Sequence, residues 1–368
     1  MKEICCIFNY APHYRSAVYK LMDEQLNCRF YFGSKVKGNI RKMDYNGFKK
    51  EVKELNSIWF FNRMYWIAGS VNLLFKPTTK YLLTGETICL SNWATLLFSK
   101  IVRKKVYVWG HGWYGKESRF QTIVKKFYFS LCDGVFLYGN YAKQLMISNG
   151  INENKLHVIY NSLDYQKTKA IRNQLKKTGI YQAKFLNKNP VLIFIGRVEP
   201  VKKLNQIIEV LLKMRMQKML LNLVIVGDGS QINSLKSAVE KAGISEQVWF
   251  YGQTYEEQVI GELMYNADLC ISPGNVGLTA IHSLSYGTPI ITHNNFPRQM
   301  PEFEAIESGI TGDFFEEEDV DSLRAVIEKW LIKHKEKDEK LIEACYKRVN
   351  DFYNPGYQVQ VLKNGMGL

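Results

Sequence analysis

Short apolar runs rich in β-branched and aromatic residues alternate with longer stretches of helical apolar spacing along the whole chain. In the first half the runs are Ile4–Phe8, Cys28–Phe32, Tyr81–Thr84, Val106–Trp109, Val135–Leu137 and Leu156–Ile159. In the second half they are Val191–Ile195, Leu223–Val226, Val248–Tyr251, Leu269–Ser272 and Pro289–Thr292. Each run is long enough for a buried strand, and a helical pattern after each strand forces a parallel sheet with helices on both faces. The series occurs twice. It breaks at Asn161–Asn189, a polar stretch rich in Lys, Asn and Gln that reads as a helix and linker. The expectation is an α/β chain of two doubly wound, Rossmann-like domains, 1–170 and 171–345, facing each other across a central cleft. Ligands are then expected at the carboxyl ends of the strands.

The 368 residues suit two such domains. Net charge is +14, but its distribution says more. Residues 1–170 hold 26 Lys and Arg against 11 Asp and Glu, while residues 171–368 hold 23 against 24. The seven cysteines form no C-x-x-C pair and no zinc spacing, and they read as reduced thiols. The N-terminal apolar run is too short for a signal peptide. Ser57–Phe75 is apolar enough to consider as a membrane span, but Asn62 and Arg63 inside it favour a buried or interfacial helix. The location expected is cytoplasmic, with any membrane contact peripheral.

In the second half, the strand ending at Ile195 runs into Gly196-Arg197, with Lys202 a few residues on. Arg offers a bidentate fork to phosphate oxygens and Lys a mobile point charge. A second strand ends in Ser272-Pro273-Gly274-Asn275-Val276-Gly277-Leu278-Thr279 and opens a helix. Small residues at a helix start let an anion approach free backbone N–H groups at the positive end of the dipole. One cationic and one amide-rich strand end together would clamp a diphosphate.

These segments resemble the GT-B glycosyltransferases, specifically the retaining family 4 type found in bacterial capsule and surface-polysaccharide synthesis. The resemblance rests on Phe194–Leu204, Leu223–Gly243, Val248–Gln253, Tyr265–His293 and Glu307–Phe315, in order and at close to the family spacing. It implies that Arg197 and Lys202, after Gly196, grip the donor diphosphate. The N–H groups of Gly277 and Leu278, with the Thr279 hydroxyl, would hold the distal phosphate. Tyr251 and Gln253 would line the base pocket. The family usually places glutamates at the positions of Gly274 and His282, and neither is present here. The backbone of Asn275 and Val276, or other groups, would then read the sugar, and His282 would either bind ribose or pack against the sheet. Glu304 matches a later family glutamate, with Glu302 competing for the alignment. The C-terminal segment 346–368 is expected to cross back to the first domain, as in many members.

In the first half, the loop after the first strand carries His13, Tyr14 and Arg15, which are acceptor-side candidates together with Glu86 at another strand end. Gly110-His111-Gly112 closes the strand Val106–Trp109, and the resemblance places His111 near the donor sugar. Ser118–Leu131 puts Phe120, Ile123, Val124, Phe127, Tyr128 and Leu131 at helical spacing beside Arg119, Lys125 and Lys126. Such a helix fits an anionic membrane surface or, equally, packing into a core with a solvated basic face.

The function expected is metal-independent, retaining transfer of a sugar from a nucleotide diphosphate donor to a glycan or lipid-linked acceptor. His111, Arg197 and Lys202 carry the chemistry, and no cofactor or nucleic acid is involved. A UDP-sugar is favoured over a GDP-sugar. The alternatives are a non-catalytic nucleotide-sugar-binding subunit and an epimerase or hydrolase of the same fold. Asp319-Val320-Asp321 reads as a helix N-terminus and Gly227-Asp228-Gly229 as a tight turn.

Overall fold

A computed structural model describes residues 3–35 and 40–368. The chain divides into two units, one running to Asp164 and completed by Phe352–Leu368, the other spanning Tyr165–Asp351.

In the first unit, strands β1 (Ile4–Phe8), β2 (Cys28–Gly33) and β3 (Lys53–Leu55) are followed by a hairpin of β4 (Ser57–Phe60) and β5 (Met64–Ile67). Strands β6 (Lys80–Thr84), β7 (Lys105–Gly110), β8 (Gly134–Leu137) and β9 (Leu156–Val158) complete it. Helices α1 (Ser16–Leu26), α2 (Leu90–Ile101), α3 (Arg119–Ser130) and α4 (Asn140–Ser148) connect them. The seven-stranded sheet has the order β3-β2-β1-β6-β7-β8-β9, and its paired strands are all parallel. Successive residues of a strand face opposite sides, so both faces must be apolar when both are covered. Cys5 and Ile7 accordingly join one core with residues of α2, α3 and α4, while Ile4, Cys6 and Phe8 join the other with α1.

The second unit begins with α5 (Tyr165–Arg172) and α6 (Ile180–Phe185). Strands β10 (Val191–Ile195), β11 (Asn222–Val226), β12 (Val248–Gly252), β13 (Leu269–Ser272), β14 (Ile290–His293) and β15 (Gly312–Phe315) then alternate with helices. These are α7 (Asn205–Met216), α8 (Ile232–Lys241), α9 (Glu257–Asn266), α10 (Thr279–Ser285), α11 (Val320–Lys333) and α12 (Glu339–Asp351). The parallel sheet has the order β12-β11-β10-β13-β14-β15. The order steps outward from β10 on both sides, which is the doubly wound arrangement with its switch point between β10 and β13. The last helix, α13 (Pro355–Met366), lies against α1 and buries Val359, Leu362 and Met366 in the first unit's core. Residues 170 and 345 fall inside α5 and α12, so the chain passes between units at helix ends, not at the expected boundaries.

All eleven apolar runs are strands. Ser57–Phe75 is not a helix: it forms the β4–β5 hairpin and a short 3-10 turn, Val71–Phe75. Phe61 and Asn62, at φ 49° and 52°, turn the chain back through the left-handed region. The seven cysteines are buried free thiols. Among the described residues no helix is long and apolar enough to cross a membrane.

Candidate functional site

The carboxyl ends of β10 and β13 meet through backbone. The Gly274 amide donates to the Lys202 carbonyl at 3.1 Å, and a Cβ on Gly274 would lie 1.9 Å from the Val201 carbonyl oxygen. No side chain fits there. The loss of the expected family glutamate is therefore built into the backbone contact that seats Lys202. The turn is braced from behind by Gln299, which accepts from the Val276 amide at 2.9 Å and donates to Thr292 Oγ1 at 2.8 Å. Thr292 in turn donates to the carbonyls of Ser272 and Gly274. The Val276 amide is thus occupied within the protein and is not available to read a sugar. Gly227 and Gly229 do more than turn the chain. A Cβ on Gly227 would lie 1.9 Å from the Gly196 carbonyl oxygen, so their bare backbones let the loop carrying Arg197 pack onto the end of β11.

The Lys202 ammonium is half-buried and donates to the carbonyl and side-chain oxygens of Asn275 at 2.5 and 2.9 Å. Asn275 therefore holds a cation through both of its oxygens. Burial and the nearby Arg197 guanidinium push the Lys202 pKa down to about 8, against the opposing pull of Glu302. Arg197 itself is exposed. Two cations therefore stand close together with one buried carboxylate nearby. That carboxylate is Glu302, buried beside Lys202. Glu304, the alternative alignment, is half-buried, and its backbone carbonyl accepts from Arg348 at 2.8 Å. Next to the cations is the start of α10. Gly277 is left-handed at φ 53°, Leu278 provides no side-chain cap, and the Thr279 hydroxyl donates to the Ile195 carbonyl at 3.2 Å. The first-turn amides of a helix have no intrahelical partners, so this end is suited to an anion.

His282 does not stand free. Its Nε2 lies 2.7 Å from Glu257 Oε1 on α9, and Glu257 also accepts from the Tyr286 hydroxyl at 2.7 Å. Burial pushes the Glu257 carboxyl up, but the contacts from His282 and Tyr286 outweigh it and hold the group below the usual range. A carboxylate is thus supplied to this position from a different helix, one that sequence spacing did not indicate. Tyr251 is half-buried beside Trp249, and Gln253 is exposed, donating to the Tyr255 hydroxyl.

In the first unit a cavity of about 340 Å³ opens at the carboxyl ends of β1, β6 and β7. It brings together Tyr14, Arg15, Glu86 and His111, but not His13. His13 is exposed, with Nδ1 3.2 Å from the Arg41 carbonyl, because the short turn His13–Arg15 directs it away. Arg15 lies over the rings of Trp109 and Tyr138, at 4.7 and 5.1 Å. Glu86 accepts from Asn9 Nδ2 at 2.8 Å and from the Tyr65 hydroxyl at 2.7 Å, and burial raises its pKa despite Tyr65 and Arg15.

His111 has flanking glycines, yet it is not left open. Its ring sits between Tyr114 and Tyr138, at 5.5 and 4.8 Å, and its buried Nδ1 has no hydrogen-bond partner among the described residues. Burial, with Arg15 and Lys125 nearby, lowers its pKa to about 4, so the imidazole is neutral at physiological pH. Lys125 is a member of this wall that the sequence reading assigned to a basic surface. Its ammonium donates to the Gly112 carbonyl at 2.8 Å and to Glu117 at 2.6 Å. Glu117 accepts from the Tyr114 and Gly115 amides, pinning the loop that carries His111.

Asp319 caps α11 by accepting from the Ser322 amide at 2.9 Å, as a helix N-terminus requires. Among the described residues no group of three His, Cys, Asp or Glu side chains is placed to hold a metal ion.

Two Rossmann-like units with parallel sheets give the chain the GT-B fold of its structural neighbours. Residues 178–348 match the family described as Glycosyl transferases group 1, and the protein is a transferase. It is 24% identical over 316 residues to an uncharacterized 41.2 kDa protein in the cps region of Klebsiella pneumoniae, covering 83% of this chain and 75% of the relative. It is 22% identical over 305 residues to the lipopolysaccharide 1,6-galactosyltransferase of Salmonella typhimurium, covering 79% and 76%. The crystal structure of Anabaena HepE in complex with UDP superposes with a TM-score of 0.70 at 16% identity, covering 100% of both chains.

Proposed function

We propose that the protein transfers a sugar from a UDP-sugar to a glycan or lipid-linked acceptor during assembly of a bacterial surface polysaccharide, with retention of configuration and without a metal. The observation that carries this reading is the Lys202 cage. A lysine drawn out of water, a neighbouring arginine and an uncapped helix start converge on one strand edge, where a departing diphosphate would be stabilised electrostatically as charge develops. The relatives in a capsule region and in lipopolysaccharide synthesis support the polysaccharide setting, and the UDP complex of HepE supports the base. In the first unit, neutral His111 would offer hydrogen bonds to a reacting sugar, and Glu86 would receive an acceptor hydroxyl.

A thermal-shift panel of UDP, GDP, CDP, ADP and TDP tests the proposal. At about a hundredfold excess over Kd, a ligand of the native state adds about 2.7 kcal/mol. UDP is expected to raise the melting temperature of the wild type, and the Arg197→Ala/Lys202→Ala variant to lose the shift. A UDP shift undiminished in that variant would remove the diphosphate clamp.

The same assay reads the Lys202 ammonium. Its pKa of about 8 predicts that UDP stabilises strongly at pH 7 and less at pH 9, where the free enzyme has lost that charge. A Lys202→Arg variant, charged throughout, should flatten the dependence. An equal pH dependence in both proteins would place its origin elsewhere.

A further inference from the structure

Helices α2 and α3 lie side by side, joined where Trp93 stacks on Phe127 at 5.9 Å. An amphipathic helix normally turns its apolar stripe to the core. These two turn part of theirs outward. Phe120, Ile123 and Phe127, at i, i+3 and i+7 on α3, are 74%, 67% and 55% exposed. On α2, Leu97 and Ile101 continue the row begun by Trp93 and are also exposed, as is Phe98. Soluble monomers rarely leave so many large apolar groups together in water.

Basic charges outnumber acidic ones around this face. Neither helix contains an Asp or Glu, while Lys100, Arg103, Arg119 and Lys126 are all exposed in or beside them. Glu117 and Asp133, the acids that flank α3 in sequence, are already paired with Lys125 and Lys100. A second copy of this face would bring like charges together, and an apolar protein groove would leave the cations unanswered. An anionic bilayer satisfies both halves, since it takes apolar side chains at the acyl boundary and Lys and Arg among the headgroups.

A second cavity, of about 410 Å³, lies beside α3 with Phe120 and Val124 in its wall. It shares Thr87, Tyr114 and Lys125 with the cavity that holds His111. The exposed apolar row therefore leads directly to the candidate acceptor cavity.

We propose that the α2–α3 face is the surface by which the protein docks on an anionic phospholipid bilayer, bringing the second cavity to the lipid as the entry for a lipid-linked acceptor. The docking stands on exposure and charge alone; the entry route rests on the transferase reading. The test is flotation of the full-length protein with vesicles of phosphatidylcholine, or of phosphatidylcholine and phosphatidylglycerol in equal parts. The wild type is expected to float with the anionic vesicles only, and to be released by salt. Phe120→Ser/Ile123→Ser should float roughly tenfold less, and Arg119→Gln/Lys126→Gln should lose both retention and salt dependence. Both variants should keep the wild-type melting temperature and the UDP shift, which separates loss of docking from loss of the donor site. If the first variant melts early, Leu97→Ser/Ile101→Ser on α2 replaces it. Equal flotation with both vesicle types, no flotation at all, or variants that float like the wild type would overturn the proposal. So would a dimer dissociated by Ile123→Ser in a protein that ignores vesicles.

Discussion

Gly274→Ala is expected to lower turnover by roughly two to three orders of magnitude, the scale on which a preorganised donor to developing charge is lost. Its Cβ would sit 1.9 Å from the Val201 carbonyl oxygen and 2.8 Å from the Lys202 Cα, both backbone atoms that cannot rotate away. The turn must shift, and the Lys202 ammonium leaves the Asn275 oxygens that now aim it. Overpacking of this kind also costs about 1–3 kcal/mol of stability, so a lowered melting temperature should accompany the loss. Gly274→Glu, which introduces the carboxylate that the family resemblance led us to expect there, should do no better than alanine. Near-normal turnover with either residue would show that the β10–β13 contact does not set the geometry of the diphosphate clamp. The two variants together separate backbone seating from side-chain chemistry.

Acidification should expose His111 in a way that His111→Gln does not share. Its folded pKa, about 4, lies below the ordinary imidazole value, so between these limits the unfolded chain binds the proton and the folded one does not. Stability from this residue is complete above about pH 6.5 and is lost progressively as the pH falls through 4, on the order of 3 kcal/mol in all. Urea unfolding of both proteins at pH 7 and pH 4.5 reads the effect. The wild type should lose more stability than His111→Gln on going down, and the difference between the two proteins removes the carboxylates they share. Parallel losses would mean that the imidazole is hydrated or paired in solution. The same depression makes His111 a poor proton donor at neutral pH, so its contribution to turnover should be that of an uncharged hydrogen-bonding group.

The sheets were legible because a strand buried on both faces has to be apolar nearly throughout, and β1, β10 and β11 are. Strand β3, Lys53-Glu54-Leu55, gave no such signal, because an edge strand with exposed side chains needs little apolar content. The positions of Arg197, Lys202 and the glycine turn followed from the rule that ligands gather at strand ends. What those residues bind inside the protein did not. Asn275 and Val276 are occupied by Lys202 and Gln299, and His282 by Glu257, through contacts across 73, 23 and 25 positions of chain. Periodicity likewise identified the apolar stripe of α3 but not its surroundings. It placed Lys125 on the surface and left Phe120 and Ile123 equally suited to a core, and the structure assigns them the other way. A helical repeat states that one side of a helix is greasy; only the neighbouring elements decide whether protein covers it.

The return of α13 to the first unit has a consequence for how the chain is made. Topologically the second unit is an insertion, entered after Asp164 and left before Phe352. The first unit's sheet can form as soon as β9 has emerged from the ribosome, but the cover over Ile4, Cys6 and Phe8 stays incomplete until Val359, Leu362 and Met366 arrive. A nascent chain must therefore carry that apolar surface open through synthesis of the whole second unit, a window in which aggregation competes with folding. Residues translated only after the whole second unit are the ones that complete the core of the first.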